Sequence, residues 1–180
     1  MSSEGTLPAP EFSRRVQAID VPRLGRSYTV TAEEDERRKL ADRFGLIDIA
    51  SLVGDYTVKS IGAGPLIRVE GRITASVTQR CIVSLGPVAE EIDEAVRAEF
   101  GPDEVDLDDE LTLDDEDPPE AFDNGAIDLG ELTAQHLSLA LDPFPRSPDA
   151  EIDEDGLGEG VTIDAPNNPF AVLKALKPKS

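Results

Sequence analysis

The chain has little of the chemistry that marks most enzymes and metal sites. Its 180 residues include one cysteine, one histidine and no tryptophan, and only 4% are aromatic. A single cysteine excludes an internal disulfide, and one cysteine with one histidine falls short of the four ligands of a structural zinc site. We therefore expect no metal and no cofactor.

Long apolar runs are also missing. No stretch approaches the ~18 apolar residues that suggest a membrane-spanning helix. Residues 1–10 lack the basic and apolar segments of a secretory signal and are typical of a flexible leader. Together with the single cysteine, these absences favour a cytoplasmic protein without a membrane partner.

Basic residues are few, and the shortage is uneven. The chain carries 17 Lys+Arg against 38 Asp+Glu, a formal net charge of -21. Residues 1–88 sum to +1, residues 89–160 to -24 and residues 161–180 to +2. The chain is therefore a nearly neutral body, a strongly acidic middle and a short basic end. Such asymmetry bears on partners and solubility rather than on fold.

The chain does have one long segment with strand periodicity, residues 66–85. Apolar residues occupy every second position from Ile67 to Val77, and polar residues lie between them. This alternation predicts one apolar face and one wet face. Because the segment is about twice the usual strand length, we expect it to bend or to form two strands. Gly71 is the natural bend point.

The N-terminal third predicts short strands and one helix. Thr31 and Glu34 have the spacing of a capping box, so a helix should open there and end at Gly45. A Gly-rich turn at residues 62–65 predicts a hairpin with the long strand. The strand-like pieces are residues 11–16, 26–30 and 56–61, and residues 46–53 are a short apolar piece that ends at Gly54.

Residues 88–100 are ambiguous. Their apolar residues lie four apart, which fits a helix face, and the same residues fall on one side of a strand. Periodicity alone favours the helix. The following acidic residues, 103–123, predict a solvated mobile loop.

The C-terminal part predicts a helix over residues 129–141. Asp128 can cap it, His136 and Leu139 belong to its predicted apolar stripe, and Asp142-Pro143 ends it. Residues 146–165 are typical of a disordered acidic linker. Residues 166–180 are a basic amphipathic tail, too short to form a stable helix alone.

Three short motifs stand out. Gln79 and Cys81 lie at the end of the long strand, Asp128 and Leu129 open the predicted helix, and Pro169 and Phe170 lie in the tail. None is a catalytic signature. Together these motifs resemble the YceD family, bacterial proteins linked to the accumulation of large-subunit ribosomal RNA.

The resemblance implies an α+β domain over residues 11–145, with an antiparallel sheet that could close into a barrel and a few packed helices. It implies that residues 88–100 are a strand, against the periodicity. It also implies a role in large-subunit assembly, and many members are encoded beside a small large-subunit ribosomal protein. Two departures stand out: Thr78 replaces a cysteine that many members carry, and His136 replaces a glutamate.

The family role leads to a non-enzymatic binding protein without a small-molecule substrate. Either it contacts large-subunit ribosomal RNA, or its acidic residues shield a basic large-subunit ribosomal protein. An RNA-processing enzyme is a weaker alternative, because the acids lie mainly in low-complexity sequence. The candidate RNA contacts, for which ordinary surface charge is the simpler explanation, are Arg68, Arg72, Arg80, Lys174 and Lys177.

The remaining reactive side chains have simpler explanations. Cys81 fits a small buried residue at a strand end. His136 fits a residue at the edge of the core, because a catalytic base would need a positioned partner and a pocket. We expect neither residue to be catalytic.

Overall fold

The computed structural model describes residues 10–61, 66–102, 119–148 and 150. A 3-10 turn at Ala18–Asp20 follows the first strand. The strands are β1 (Arg15–Gln17), β2 (Arg26–Thr31), β3 (Asp48–Ile61), β4 (Leu66–Arg80), β5 (Pro87–Gly101), β6 (Glu120–Ala121) and β7 (Ala126–Asp128), and the helices are α1 (Glu34–Phe44) and α2 (Leu129–Ala140).

The five strands of the main sheet lie in the order β2-β3-β4-β5-β6. Neighbours are antiparallel except β5 and β6, which are parallel over two residues. Strands β1 and β7 form a separate antiparallel ribbon. The α+β class, the hairpin of β3 with β4 and the pairing of β4 with β5 are confirmed. The barrel is not, because the described strands form an open sheet.

The segment for which periodicity favoured a helix is strand β5. It pairs with β4 in unbroken register, from Phe100 opposite Ile67 to Pro87 opposite Arg80. The helix interpretation is wrong, and the strand implied by the family resemblance is confirmed. A spacing of four is a multiple of the strand period, so Ile92 and Val96 are buried on one face of the sheet. Pairing with β4 decided between the two structures.

Strand β4 is one continuous strand, and Gly71 does not divide it. A Cβ at Gly71 would lie 2.1 Å from the carbonyl oxygen of Asp55 and 2.7 Å from Cδ1 of Tyr56. The glycine therefore makes room for the neighbouring strand and its tyrosine ring. The strand ends at Arg80, within the segment 66–85 that the alternation marked.

Gly54 likewise lies inside strand β3, so the expected break between residues 46–53 and residues 56–61 does not occur. A Cβ at Gly54 would lie 2.6 Å from Cε2 of Tyr56 and 2.8 Å from Oγ1 of Thr133. The hydroxyls of Tyr56 and Thr133 are 2.7 Å apart and join β3 to α2 in the core. Burial raises the pKa of Tyr56 to about 12. The small residue at 54 thus allows the helix to approach the sheet.

Helix α1 begins two residues later than the predicted capping box. Glu33 is the N-cap, and the side chain of Glu36 accepts a hydrogen bond from its backbone amide at 2.8 Å. Thr31 is the last residue of β2 and pairs with Val53, so it belongs to the sheet and not to the helix cap. The predicted end is confirmed, since Gly45 adopts the left-handed conformation at φ 68.

Helix α2 lies over the inner face of the sheet, with a different stripe from the one predicted. Leu129 and Leu132 are buried as expected, but Leu139 is 80% exposed and Leu137 is fully buried instead. Apolar residues occur around most of this helix, so their spacing did not identify the buried face. The position of Thr133 against Tyr56 identifies it.

Asp128 fastens the N-terminal segment to the start of α2. Its Oδ1 accepts hydrogen bonds from the amides of Arg14 at 2.7 Å, Gly130 at 3.0 Å and Glu131 at 3.3 Å. Its Oδ2 accepts one from the Ser13 hydroxyl. The predicted cap is confirmed, and the same carboxylate also holds a distant segment of chain.

Candidate functional site

The outer face of β4 carries charged side chains that are paired with neighbouring strands. Arg68 lies 2.6 Å from Glu99 of β5, and the two residues are direct cross-strand partners. Arg72 lies 3.0 Å from Asp93. Two of the candidate RNA contacts therefore share one strand face, and each already holds a carboxylate. Such pairing lowers the positive potential available to a phosphate.

Arg80 differs from these two arginines. It is exposed at the end of β4, and its Nη1 donates to the carbonyl oxygen of Leu85 at 3.4 Å. It has no ion-pair partner in the part of the chain that the structure describes. The remaining candidates, Lys174 and Lys177, lie outside that part. The RNA-contact set stays a prediction.

The free side of β5 is a feature that sequence reasoning missed. Strand β6 pairs with β5 at Phe100 and Gly101. Over residues 10–61, 66–102 and 119–148, no other strand lies along this side, so the backbone of residues 87–95 forms an open sheet edge. An edge is recognised from the order of the strands in the sheet, and a single sequence does not reveal that order.

The open edge of β5, residues 87–95, is strongly acidic. It contains no lysine or arginine. Asp93 pairs with Arg72, whereas the other three carboxylates have no ion-pair partner among the described residues. The four acids are Glu90, Glu91, Asp93 and Glu94.

The motif at the end of β4 fastens the β4–β5 turn to the segment after α2. Cys81 is fully buried, as expected, and its Sγ accepts amide hydrogen bonds from Val83 at 3.4 Å, Ser84 at 3.3 Å and Ser147 at 3.4 Å. Hydrogen bonds from the Ser84 side chain and from the amides of Ser147 and Ser84 lower the pKa of the thiol to about 6. Gln79 donates to the carbonyl oxygen of Asp142 at 3.0 Å.

The motif residues thus have structural positions wherever the structure describes them. Gln79 and Cys81 secure one end of the sheet, and Asp128 and Leu129 secure the start of α2. The last two, Pro169 and Phe170, lie outside the described residues.

Comparison with known families identifies the chain. Residues 69–177 match the family described as large ribosomal RNA subunit accumulation protein YceD. The chain belongs to the YceD family. No curated protein and no solved structure matches it. The matched range begins inside β4 and includes the whole open edge of β5.

Among the described residues of this YceD-family protein, no cluster of metal-ligating side chains is assembled. No three of the described histidine, cysteine, aspartate and glutamate residues lie close enough to hold a metal ion together. His136 is half-buried and has no hydrogen-bond partner within the described ranges. No described helix is long and apolar enough to cross a membrane.

An apolar cleft of the described YceD chain lies away from the acidic edge. It has a volume of about 490 Å³ and is lined by Ile19, Ile67 and Phe122 among others. Ser60 is the one hydroxyl in its described lining, and no titratable side chain lines it. A substrate site usually combines an apolar wall with several convergent polar groups. The cleft therefore gives no positive evidence for a small-molecule substrate.

Chemically, the strongest feature of this YceD-family protein is the acidic edge. It places carboxylates beside backbone amides and carbonyls, and among the described residues neither group has a partner on this side of the strand. Carboxylates attract lysine and arginine, and the backbone groups can hydrogen-bond an extended chain. The arrangement is suited to holding a cationic polypeptide.

Proposed function

We propose that this YceD-family protein supports the accumulation of large-subunit ribosomal RNA by binding a basic large-subunit ribosomal protein. The observation that carries the proposal is the contrast between paired and unpaired charges. The sheet arginines Arg68 and Arg72 hold carboxylates. Glu90, Glu91 and Glu94 have no ion-pair partner among the described residues.

The charge of the whole chain supports a cationic partner. With a net charge of -21, the protein repels RNA at long range and attracts basic proteins. Complementary charge raises association rates and selects partners more than it raises affinity. A basic ribosomal protein bound in this way stays soluble until it reaches its RNA. Ribosomal RNA that has received its proteins is folded into the large subunit and accumulates there. Binding in the cytoplasm, without a catalytic step, is sufficient for this role.

Direct RNA contact is the second candidate function, and Arg80 favours it. This exposed arginine has no carboxylate partner among the described residues. The tail lysines Lys174 and Lys177 would add positive charge. Arg72 would first have to release Asp93, so few phosphates would be neutralised. Few phosphate contacts give weak binding with a shallow dependence on salt.

A binding assay with two ligands separates the two functions. Purified protein is titrated with a large-subunit ribosomal RNA fragment and, separately, with basic large-subunit ribosomal proteins over a series of salt concentrations. We expect one ribosomal protein to bind well and RNA to bind weakly, with loss by moderate salt. Tight RNA binding without any bound ribosomal protein would overturn the proposal.

A double charge reversal tests the RNA candidate residue by residue. Arg72→Glu with Arg80→Glu reverses the charge of the two candidates on β4 that are exposed, and leaves the half-buried Arg68 in place. Arg23→Glu with Arg26→Glu makes the same charge change at exposed arginines elsewhere. If RNA contact is the function, the first pair weakens RNA binding much more than the control pair does. Under the proposed function the two pairs behave alike, and protein binding is retained in both.

A further inference from the structure

Strand β5 pairs on one side only along most of its length. Its pairing with β4 runs without a register shift from Pro87 to Phe100. On the other side, β6 covers only Phe100 and Gly101 within the described part of the chain. Every second residue of an edge strand directs its amide and carbonyl away from the sheet. Among the described residues, no strand pairs with the backbone donors and acceptors that residues 88–95 direct away from β4.

Apart from Pro87 at its start, most of the devices that usually close such an edge are absent among the described residues. Natural edge strands are commonly blunted by bulges, lysines, prolines or a covering element. Between Val88 and Ala95 there is no bulge, no lysine and no proline. The acidic residues are the one feature of this stretch that would attract or repel an approaching strand. Their positions therefore indicate what charge pattern an added strand would need.

The carboxylates project from both faces of the sheet at this edge. Glu90 and Glu94 share the face of the buried Ile92, whereas Glu91 and Asp93 lie on the opposite face. A strand added beside β5 would have negative charge on both of its sides. It would be favoured by lysine or arginine at successive positions, rather than at alternate positions only.

We propose that the open edge of β5 binds an extended basic segment of a protein partner as an added strand. The proposal rests on the proposed function and specifies how the basic protein docks. Backbone hydrogen bonds supply the pairing, and Glu90, Glu91 and Glu94 select for cationic side chains on both faces. Asp93 contributes less, because Arg72 already holds it.

The competing explanation is that the acids only keep other strands away. Charged side chains on an edge do prevent pairing between copies of a protein. The two explanations differ in one respect. If the acids serve only to repel other strands, a basic peptide would still bind through its charge, and its backbone amides would not matter. If the acids select a basic strand, the peptide would bind only when its backbone amides can pair with β5.

Two synthetic peptides of equal charge separate these possibilities. The first is a short extended peptide with lysine or arginine at successive positions between valines. The second has the same sequence with alternate amides N-methylated, so it keeps every charge but loses one pairing edge. Each is titrated against the full chain by fluorescence anisotropy. Amide hydrogen exchange of residues 88–95 is measured in parallel.

Two double variants form a matched pair on the protein side. Glu91→Lys with Glu94→Lys changes exposed residues on both faces of the edge. Asp20→Lys with Asp42→Lys makes the same charge change at exposed positions elsewhere. Thermal melts check that each variant folds. Glu91→Gln with Glu94→Gln serves as a milder version if the reversal is not tolerated.

We expect the unmodified peptide to bind and to protect amides of residues 88–95 from exchange. N-methylation and the edge variant should each reduce affinity about tenfold or more, which corresponds to ~1.4 kcal/mol. The control variant should change it less than about threefold.

Equal binding of the two peptides, or equal effects of the two variants, would overturn the added strand and leave the proposed function in place. A failure of every basic peptide and every basic ribosomal protein to bind at low salt would overturn both.

Discussion

The two sides of the main sheet differ in how neighbouring chain covers them. Beyond its pairing with β2, strand β3 is covered by the start of α1: Nε of Arg37 donates to the carbonyl oxygen of Ile49 at 3.0 Å, and the amide of Ala32 donates to that of Leu52 at 3.0 Å. Along residues 87–95 of β5, no described element makes such contacts. The part of β3 that extends beyond β2 is covered by neighbouring chain, which we call the closed side, whereas residues 87–95 of β5 are acidic and have no covering element among the described residues.

The difference separates what holds the protein together from what is available to a partner. The closed side is tied to α1 through Arg37 and to α2 through the Tyr56–Thr133 pair. Asp128 in turn joins α2 to the N-terminal segment. The open side contributes charge and unpaired backbone but few buried contacts. Substitutions on the closed side should therefore change stability, and substitutions on the open edge should change binding.

The largest expected effect is on the closed side, at Gly71. In Gly71→Val the new side chain would begin 2.1 Å from the carbonyl oxygen of Asp55, so β3 and β4 would have to separate locally. We expect a loss of at least about 3 kcal/mol in the free energy of unfolding, measured by urea denaturation. Gly86→Ala is the matched control, because its nearest neighbour would be 3.5 Å away. An unchanged urea midpoint in Gly71→Val would contradict the observed contact.

Asp128→Ala should have the next largest effect. It removes the acceptor for the amides of Arg14 and Gly130 and for the Ser13 hydroxyl, so the N-terminal segment and α2 lose their shared anchor. We expect a loss of about 2–3 kcal/mol in thermal or urea unfolding. Asp142→Ala removes a single exposed cap of Phe144 and should cost less than about 1 kcal/mol. Similar losses in the two variants would argue against the anchor.

Arg37→Ala should open the closed side. It leaves the carbonyl oxygens of Ala32 and Ile49 without their guanidinium donors. We expect a loss of about 1–2 kcal/mol and faster amide exchange near the start of β3, with no change in exchange along β5. Arg38→Ala is the control on the same helix, because Arg38 is exposed and pairs with Asp35 on the surface. Equal destabilisation by both would show that the covering contact is unimportant.

The ion pair of Arg14 and Glu36 predicts how stability depends on pH on the closed side. The hydrogen bond from Arg14 lowers the pKa of Glu36 below its usual value of 4.5. The stabilisation is therefore present above that usual value and is lost as pH falls through the lowered one. Glu36→Gln should cost about 1 kcal/mol at neutral pH. The difference from the unsubstituted protein should shrink in unfolding experiments below pH ~4.5.

A difference that stayed constant down to strongly acidic pH would show that the Arg14–Glu36 pair does not act through the charge of Glu36. Glu34→Gln, at an exposed residue of the same helix, controls for general loss of acidic charge.

The smallest effect on stability is expected at the open edge. Glu91→Lys with Glu94→Lys should change the free energy of unfolding by less than about 0.5 kcal/mol, because both side chains are exposed. Relief of repulsion among neighbouring carboxylates could even raise the melting temperature slightly. A large destabilisation would mean that this edge is structural, and the contrast between the two sides would fail.

Local patterns predicted those features whose signals are local. The alternation from Ile67 to Val77 identified the central strand, Asp128 identified the start of α2, and Gly45 identified the end of α1. In each case the deciding contact is with a residue nearby in the chain, or follows directly from the strand period. The capping box at Thr31 failed because β2 uses that residue for pairing with Val53, which is distant in sequence.

The candidate site was predicted less well than the fold. Arg68, Arg72 and Arg80 were placed on β4 correctly, but their spacing does not reveal that Glu99 and Asp93 would pair with the first two. Those contacts depend on the register of β5, and periodicity alone made this segment a helix. The open edge was not predicted, because an edge is defined by the strands that do not pair with it.

The sequence by itself determined the charge distribution, the absence of disulfides and the alternation that makes β4 the centre of the sheet. These properties depend on composition or on the two-residue period of a strand, and no folding partner can change them. Tertiary structure decided that residues 87–101 are a strand, that Gly54 and Gly71 make room for Tyr56, and that one edge of the sheet is open. Each of these depends on which distant segment lies alongside, and that choice is made by burial and backbone pairing across the whole chain.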